Sequence, residues 1–163
     1  MRKSEIEILS YRPEYGLEAV KMWRQSFQRA MALPEQNSRD DLLPQLDYFA
    51  SLSAATVHVA MDTGNSLIVG LLVVDEQVLE HLYVHVDFQG AGLGRRLLDK
   101  AKALSPAGLE LYTFQQNQGA QAFYLTQGFV EVARSFADLS SNPWASTQDQ
   151  LADIKYQWRP SSS

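Results

Sequence analysis

The chain has no cysteine among its 163 residues. That excludes disulfides, thiolate metal sites and any acyl-cysteine intermediate, and it fits a reducing compartment. Basic residues are also in short supply, with 14 Lys and Arg against 19 Asp and Glu, a formal charge of -5 and a pI near 5.1. Binding to phosphate backbones needs clustered cations, so nucleic acid is excluded as the main partner, while a cationic substrate is mildly favoured. Long apolar runs are missing as well. The longest, Leu67 to Val74, is far too short to span a bilayer, and Met1-Arg2-Lys3-Ser4-Glu5 leads into an alternating stretch rather than an apolar signal segment. The expectation is a cytoplasmic chain with no membrane partner. Metal ligation is not expected either, because no His/Asp/Glu group has a ligand spacing such as His-x-x-x-His.

What is present has the composition of one globular domain, 45% hydrophobic and 20% charged. A single domain over residues 1–160 is expected, with 161–163 as a frayed tail. Ile6 and Ile8 alternate with polar neighbours as a strand, and Pro13 opens a helix in which Leu17, Val20, Met22, Trp23 and Phe27 recur near helical spacing. A second helix carries Leu42, Leu43, Leu46, Phe49 and Leu52, with Ser38 or Asp40 as its cap and Pro44 tolerated only in its first turn. From Thr56 the pattern becomes β-branched. Strands are predicted over 56–61, 67–74 and 78–86, the first two joined by a turn at Asp62-Thr63-Gly64-Asn65. Helical period returns over 92–104, and a strand at 109–114, a helix at 118–127, a strand at 129–136 and a last strand at 154–158 follow. The order predicts an α/β (α+β) fold with a single mixed, mostly antiparallel sheet of about six to seven strands and about four helices.

The stretch most informative about chemistry is Val84-His85-Val86-Asp87-Phe88-Gln89-Gly90-Ala91-Gly92-Leu93-Gly94-Arg95-Arg96, a strand end running through three alternate glycines into an amphipathic helix. Glycines let backbone N–H groups turn towards one point, and a helix N-terminus adds partial positive charge, which together make an anion cradle. Arg95 and Arg96 in the first turn oppose the helix dipole unless an anion lies among them. The dinucleotide fingerprint fails, because Arg95 stands at its last glycine and the positions about twenty residues on, at the next strand, are Thr113, Phe114 and Gln115 instead of an acidic residue; the nucleotide P-loop fails for want of Gly-Lys-Ser/Thr. A glycine-rich turn without ligand is the plain alternative.

Gln89-Gly90-Ala91-Gly92-Leu93-Gly94 resembles the Gln/Arg-x-x-Gly-x-Gly/Ala pyrophosphate loop of the GCN5-related N-acetyltransferase (GNAT) family, and Leu82-Tyr83-Val84 resembles the strand before it. A second stretch at the expected place, Asn117-x-x-Ala120-x-x-Phe123-Tyr124-x-x-x-Gly128-Phe129, is similar to that family's later signature in its bacterial-type members. The resemblance implies an acetyltransferase that moves the acetyl group of acetyl-coenzyme A directly to a primary amine within a ternary complex. It implies that Leu82 and Val84 pair with the pantetheine arm as a strand would, with Tyr83 between them, and that the amides from Gly90 to Arg95 hold the pyrophosphate. Asn117 would touch the pantetheine or simply cap its helix. Tyr124 would protonate the departing thiolate, or else be a core aromatic with Phe123.

Glu80 is the candidate base, since on its strand it shares a face with Leu82 and Val84; a solvated Glu80, or Glu76 in its place, is the alternative. His81 and His85 fall on the other face as surface or packing residues, His81 with a further option as a relay beside Glu80. Trp23, Phe27, Tyr48 and Trp144 are candidates to line the amine pocket, or are core. The polar loop from Asp138 to Ala152 matches no pattern. The resemblance allows a homodimer. A non-catalytic acyl-coenzyme A sensor is the competing function.

Overall fold

In the computed structural model, which describes residues 5–33, 42–53, 56–142 and 144–161, the alternation around Ile6 and Ile8 becomes strand β1, Ile6–Ser10. A 3-10 turn at Pro13–Tyr15 then leads into helix α1, Gly16–Ala30, and helix α2 spans Leu43–Ser51. The hairpin strands are β2, Val57–Asp62, β3, Leu67–Asp75, and β4, Val78–Val84. Helix α3, Leu93–Leu104, strand β5, Leu109–Phe114, helix α4, Gln118–Thr126, and strands β6, Val130–Phe136, and β7, Ala152–Trp158, complete the chain. The hydrogen-bonded order is β1-β2-β3-β4-β5-β7-β6. Pairing is antiparallel for β1 with β2, β2 with β3, β5 with β7 and β6 with β7, and parallel for β4 with β5, where Val78 stands opposite Glu110. The predicted mixed, mostly antiparallel sheet and four helices are thus observed.

Two compact units make up the chain. One is formed by the residues up to Asp75 with Leu79–Leu104, the other by Glu76–Val78 with the residues from Ser105 onward. In the first, β3 is buried along almost its whole length, as its continuous apolar run requires of a strand covered on both faces. Val57, Val59, Leu71 and Val73 join Ala19, Val20, Met22 and Trp23 of α1 and Phe49 of α2 in one cluster. Next to them Gly70 admits α3: a Cβ there would lie 2.9 Å from both Ala60 Cβ and Leu97 Cδ1. The turn at 63–66 is held by the buried Asp62 carboxylate, which accepts from Gly64 N at 3.1 Å and Asn65 Nδ2 at 3.0 Å. Such Asx chemistry is what Asp and Asn offer a tight turn.

In the second unit β7 lies between β5 and β6, with Thr113 opposite Ile154 and Arg134 opposite Ile154 on its other side. Three local departures from expectation have physical causes. Strand β4 ends at Val84, two residues early, because Val86–Phe88 winds into a 3-10 turn. Helix α2 takes Leu42 as its N-cap without a side-chain bond, while Ser38 and Asp40, the expected caps, lie outside the described residues. The polar loop is ordered by local bonds. Asp138 accepts from Ser140 and Ser141, and a capping box of Thr147 and Gln150 starts a 3-10 turn at Gln148–Leu151. Among the described residues no helix is long and apolar enough to cross a membrane.

Candidate active site

The glycine loop of the first unit is built as its sequence suggests. Gly90 and Gly92 both sit at φ 83, where a side chain strains the backbone, and no atom lies within 4 Å of where their Cβ atoms would be. No amide from Gly90 through Arg95 donates to another backbone group among the described residues; the first to do so is Arg96 N, to Gly92 O at 3.1 Å. Six consecutive N–H groups at a helix start are therefore open to an acceptor. The two arginines behave differently. Arg96 donates to the Ile6 carbonyl at 2.9 Å, a structural tie to β1, whereas Arg95 is exposed and without a partner among the described residues. The dipole conflict read from the sequence therefore rests on Arg95 alone. His85 supports the loop's entrance: its Nδ1 accepts from Asp87 N at 3.1 Å, and its ring meets Phe88 edge-on at 5.5 Å.

Upstream, Leu82, Tyr83 and Val84 are half-buried along β4. The Val84 carbonyl is engaged twice, by Ser26 Oγ of α1 at 3.0 Å and by Gln89 Nε2 at 3.0 Å. An incoming N–H would therefore take the place of the exposed Gln89 amide. Glu80 is exposed, yet its carboxyl pKa is raised, first by partial burial and then by the neighbouring Asp75 charge. Glu76 instead occupies the β3–β4 turn at φ 56.

Sequence reasoning named three aromatics here without seeing how they meet. Trp23 lies 4.4 Å from the His81 ring, 5.8 Å from Tyr83 and 6.2 Å from Tyr48, and Phe27 meets Tyr83 edge-on at 6.5 Å. Burial holds the His81 pKa down to about 4, so this imidazole is neutral and packs among the rings. The Tyr48 phenol is pushed up to about 12 by burial first, then by Glu80 and Asp75, which puts both carboxylates in this phenol's field. Trp144 belongs to neither group of rings named so far; it packs edge-on against Phe114 at 5.2 Å in the second unit.

In that second unit Asn117 caps α4, its Oδ1 accepting from Ala120 N at 3.1 Å. Gln121 holds the segment before it, donating to the carbonyls of Phe114 at 3.1 Å and Gln115 at 2.7 Å. Tyr124 is 6% exposed, and its ring is flanked by Phe123 at 5.2 Å and Phe129 at 5.3 Å, both near T-shaped. The core-aromatic description of Tyr124 is thus satisfied by its ring. Among the described residues no group of three or more His, Asp or Glu could hold a metal ion.

The chain matches the family model of the acetyltransferase (GNAT) domain over residues 53–131, the part that contains the glycine loop and Tyr124. It is 29% identical to the peptidyl-lysine N-acetyltransferase YjaB of Salmonella typhimurium over 85% of this chain and 93% of that protein. Its fold is similar to the solution structure of apo YjaB from Escherichia coli, with a TM-score of 0.69 at 24% identity, covering 94% of this chain and 97% of that one. It is also similar to the crystal structure of the PaiA N-acetyltransferase from Thermoplasma acidophilum in complex with coenzyme A. That likeness has a TM-score of 0.65 at 18% identity over 96% of this chain and 99% of that one.

Proposed function

We propose that the chain is a member of the GNAT family and an N-acetyltransferase that carries acetyl groups to an amine, and from this premise follow how its own residues perform the transfer and which amine receives it. Acetyl-coenzyme A binds with its pyrophosphate on the amides from Gly90 to Arg95 and its pantetheine along Leu82, Tyr83 and Val84. Gln89 gives up the Val84 carbonyl as it does so. The observation that supports this reading is the row of six amides beside Arg95 that have no partner among the described residues. Asn117 presents the start of α4 while capping it. The acceptor is a lysine side chain of a protein, by analogy with the relative named as a peptidyl-lysine N-acetyltransferase.

A lysine amine has a pKa near 10.4 and must lose a proton before it attacks. Glu80, with its raised carboxyl pKa, takes that proton directly or through water. The amine nitrogen then bonds to the thioester carbonyl carbon, the C–S bond breaks, and the thiolate receives a proton from Tyr124. With no cysteine in the chain, the acetyl group moves in one step within a ternary complex. Residues 1–160 serve as one catalytic domain, in the cytoplasm, as a monomer or homodimer, with no metal and no nucleic acid partner.

The test is calorimetric titration with acetyl-coenzyme A, ADP and NAD, followed by a thiol-release assay over lysine peptides and small amines. Selective binding of acetyl-coenzyme A with thiol release on lysine peptides is expected. Binding without release on any amine would favour a sensor, and no binding would remove the loop assignment.

A further inference from the structure

A cavity of about 450 Å³ in the first unit is lined by Gln25, Gln28, Arg29, Ala32, Leu33 and Val86. Its place in the fold is specific. Val86 begins the 3-10 turn that leads into the glycine loop, and Ser26, between the lining residues of α1, reaches the Val84 carbonyl at 3.0 Å. The cavity wall carries one guanidinium and two side-chain amides. Arg29 makes no ion pair or hydrogen bond through its side chain among the described residues, and the side-chain amides of Gln25 and Gln28 make none either, although Gln28 is only 9% exposed. Gln25 and Arg29 are exposed, so these groups face solvent in the cavity and can be reached by an entering acceptor.

The ordinary role for an arginine in a last helical turn is to bond the free carbonyls. Here backbone amides have taken them: Met31 N donates to Phe27 O at 3.0 Å, Leu33 N to Gln28 O at 2.8 Å and Ala32 N to Arg29 O at 3.2 Å. Ala32, at φ 55, makes the turn that allows this. The guanidinium is thereby released from capping the helix and contributes to the cavity wall, in which none of the described lining residues is a carboxylate.

We propose that this cavity is an oxyanion subsite, in which Arg29 with Gln25 and Gln28 receives a carboxylate or phosphate monoester carried by one of the two substrates. The inference rests on the acetyl-transfer reading and adds to it the chemical class of a second contact. A guanidinium presents a planar fork that matches such groups two bonds at a time, and neutral amides supply donors without competing acceptors of full charge.

Two arms distinguish the sources. In one, acetyl-coenzyme A and its 3′-dephospho form are titrated into the unsubstituted chain and into Arg29→Gln. In the other, KM is measured for a lysine peptide with and without an aspartate beside the lysine. Arg29→Gln should weaken one arm by about tenfold, with the other within twofold and thermal unfolding unchanged. A loss confined to the phosphorylated coenzyme assigns the subsite to the coenzyme, and a loss confined to the aspartate peptide assigns it to the acceptor. Arg29→Lys, which keeps charge without the fork, should recover only part of the loss. An unsubstituted chain that binds and turns over, with Arg29→Gln unchanged in both arms, overturns the subsite alone. Failure of the unsubstituted chain to bind acetyl-coenzyme A would overturn it together with the loop assignment.

Discussion

Ser26 Oγ of α1 donates to the carbonyl of Val84 at 3.0 Å, across 58 residues of sequence, at the point where β4 gives way to the turn before the glycine loop. Ser26 is 5% exposed, so its hydroxyl has no bulk water to fall back on. Ser26→Ala should cost about 1 kcal/mol of stability by urea unfolding. It should also loosen the placement of Val84, raising KM for acetyl-coenzyme A more than it lowers kcat. An unchanged unfolding midpoint would show that the bond is replaced by water at no cost.

Tyr124→Phe separates chemistry from packing. The ring contacts with Phe123 and Phe129 survive the substitution, so folding and acetyl-coenzyme A affinity should stay within about twofold. Turnover should fall by about 10²-fold, the usual scale of a lost proton donor. Full activity in the variant would leave Tyr124 as a core residue only. Binding without turnover in the unsubstituted chain would instead point to the sensor.

Glu80 predicts a pH profile. A base works deprotonated, and this carboxyl pKa is raised, so kcat/KM should be lost as pH falls through an inflection above the ordinary carboxylate range. Glu80→Gln should lower the rate and remove that inflection. If the inflection persists in the variant, another group is the base.

His81 predicts an acid sensitivity of the fold itself. Its pKa is lowered from 6.5 to about 4 by burial, so the unfolded chain takes up the proton first. Stability from this group is full above about pH 6.5 and is lost progressively as pH falls towards about 4. The upper bound for that interval is about 3 kcal/mol, and partial exposure reduces it to roughly 1–2 kcal/mol. His81→Leu should flatten thermal stability over this range; an unchanged slope would assign acid sensitivity to other groups.

Gly70→Ala should destabilise the first unit by about 1–3 kcal/mol, because its Cβ would stand 2.9 Å from Ala60 Cβ and Leu97 Cδ1 inside a filled core. Thermal unfolding measures this directly. A Leu97→Ala background should restore part of the loss if the clash with α3 is its cause.

The sequence by itself determined whatever depends on neighbours a few residues apart. Alternation at Ile6 and Ile8, the β-branched runs from Thr56 to Val84, the amphipathic stripe of Leu93, Leu97, Leu98 and Ala101, and the glycines that bend Gln89 into α3 are local, and they appear within about two residues of expectation. Asn117 as a helix cap is of the same kind. The loop after Asp138 matched no pattern in the sequence, although the structure shows that its Asp-x-Ser-Ser and Thr147-x-x-Gln150 spacings act as turn and cap signals.

Tertiary structure alone decided which groups those local elements leave free. Arg95 and Arg96 are adjacent and chemically identical, yet Arg96 is bound to Ile6, 90 residues away, and Arg95 has no partner among the described residues. Likewise Trp23, Tyr48, His81 and Tyr83 become one cluster only because α1 and α2 lie against the sheet that carries β4. The physical reason is that a hydrogen bond or ring contact between distant residues depends on where the chain returns, and side-chain periodicity records only which face a residue occupies.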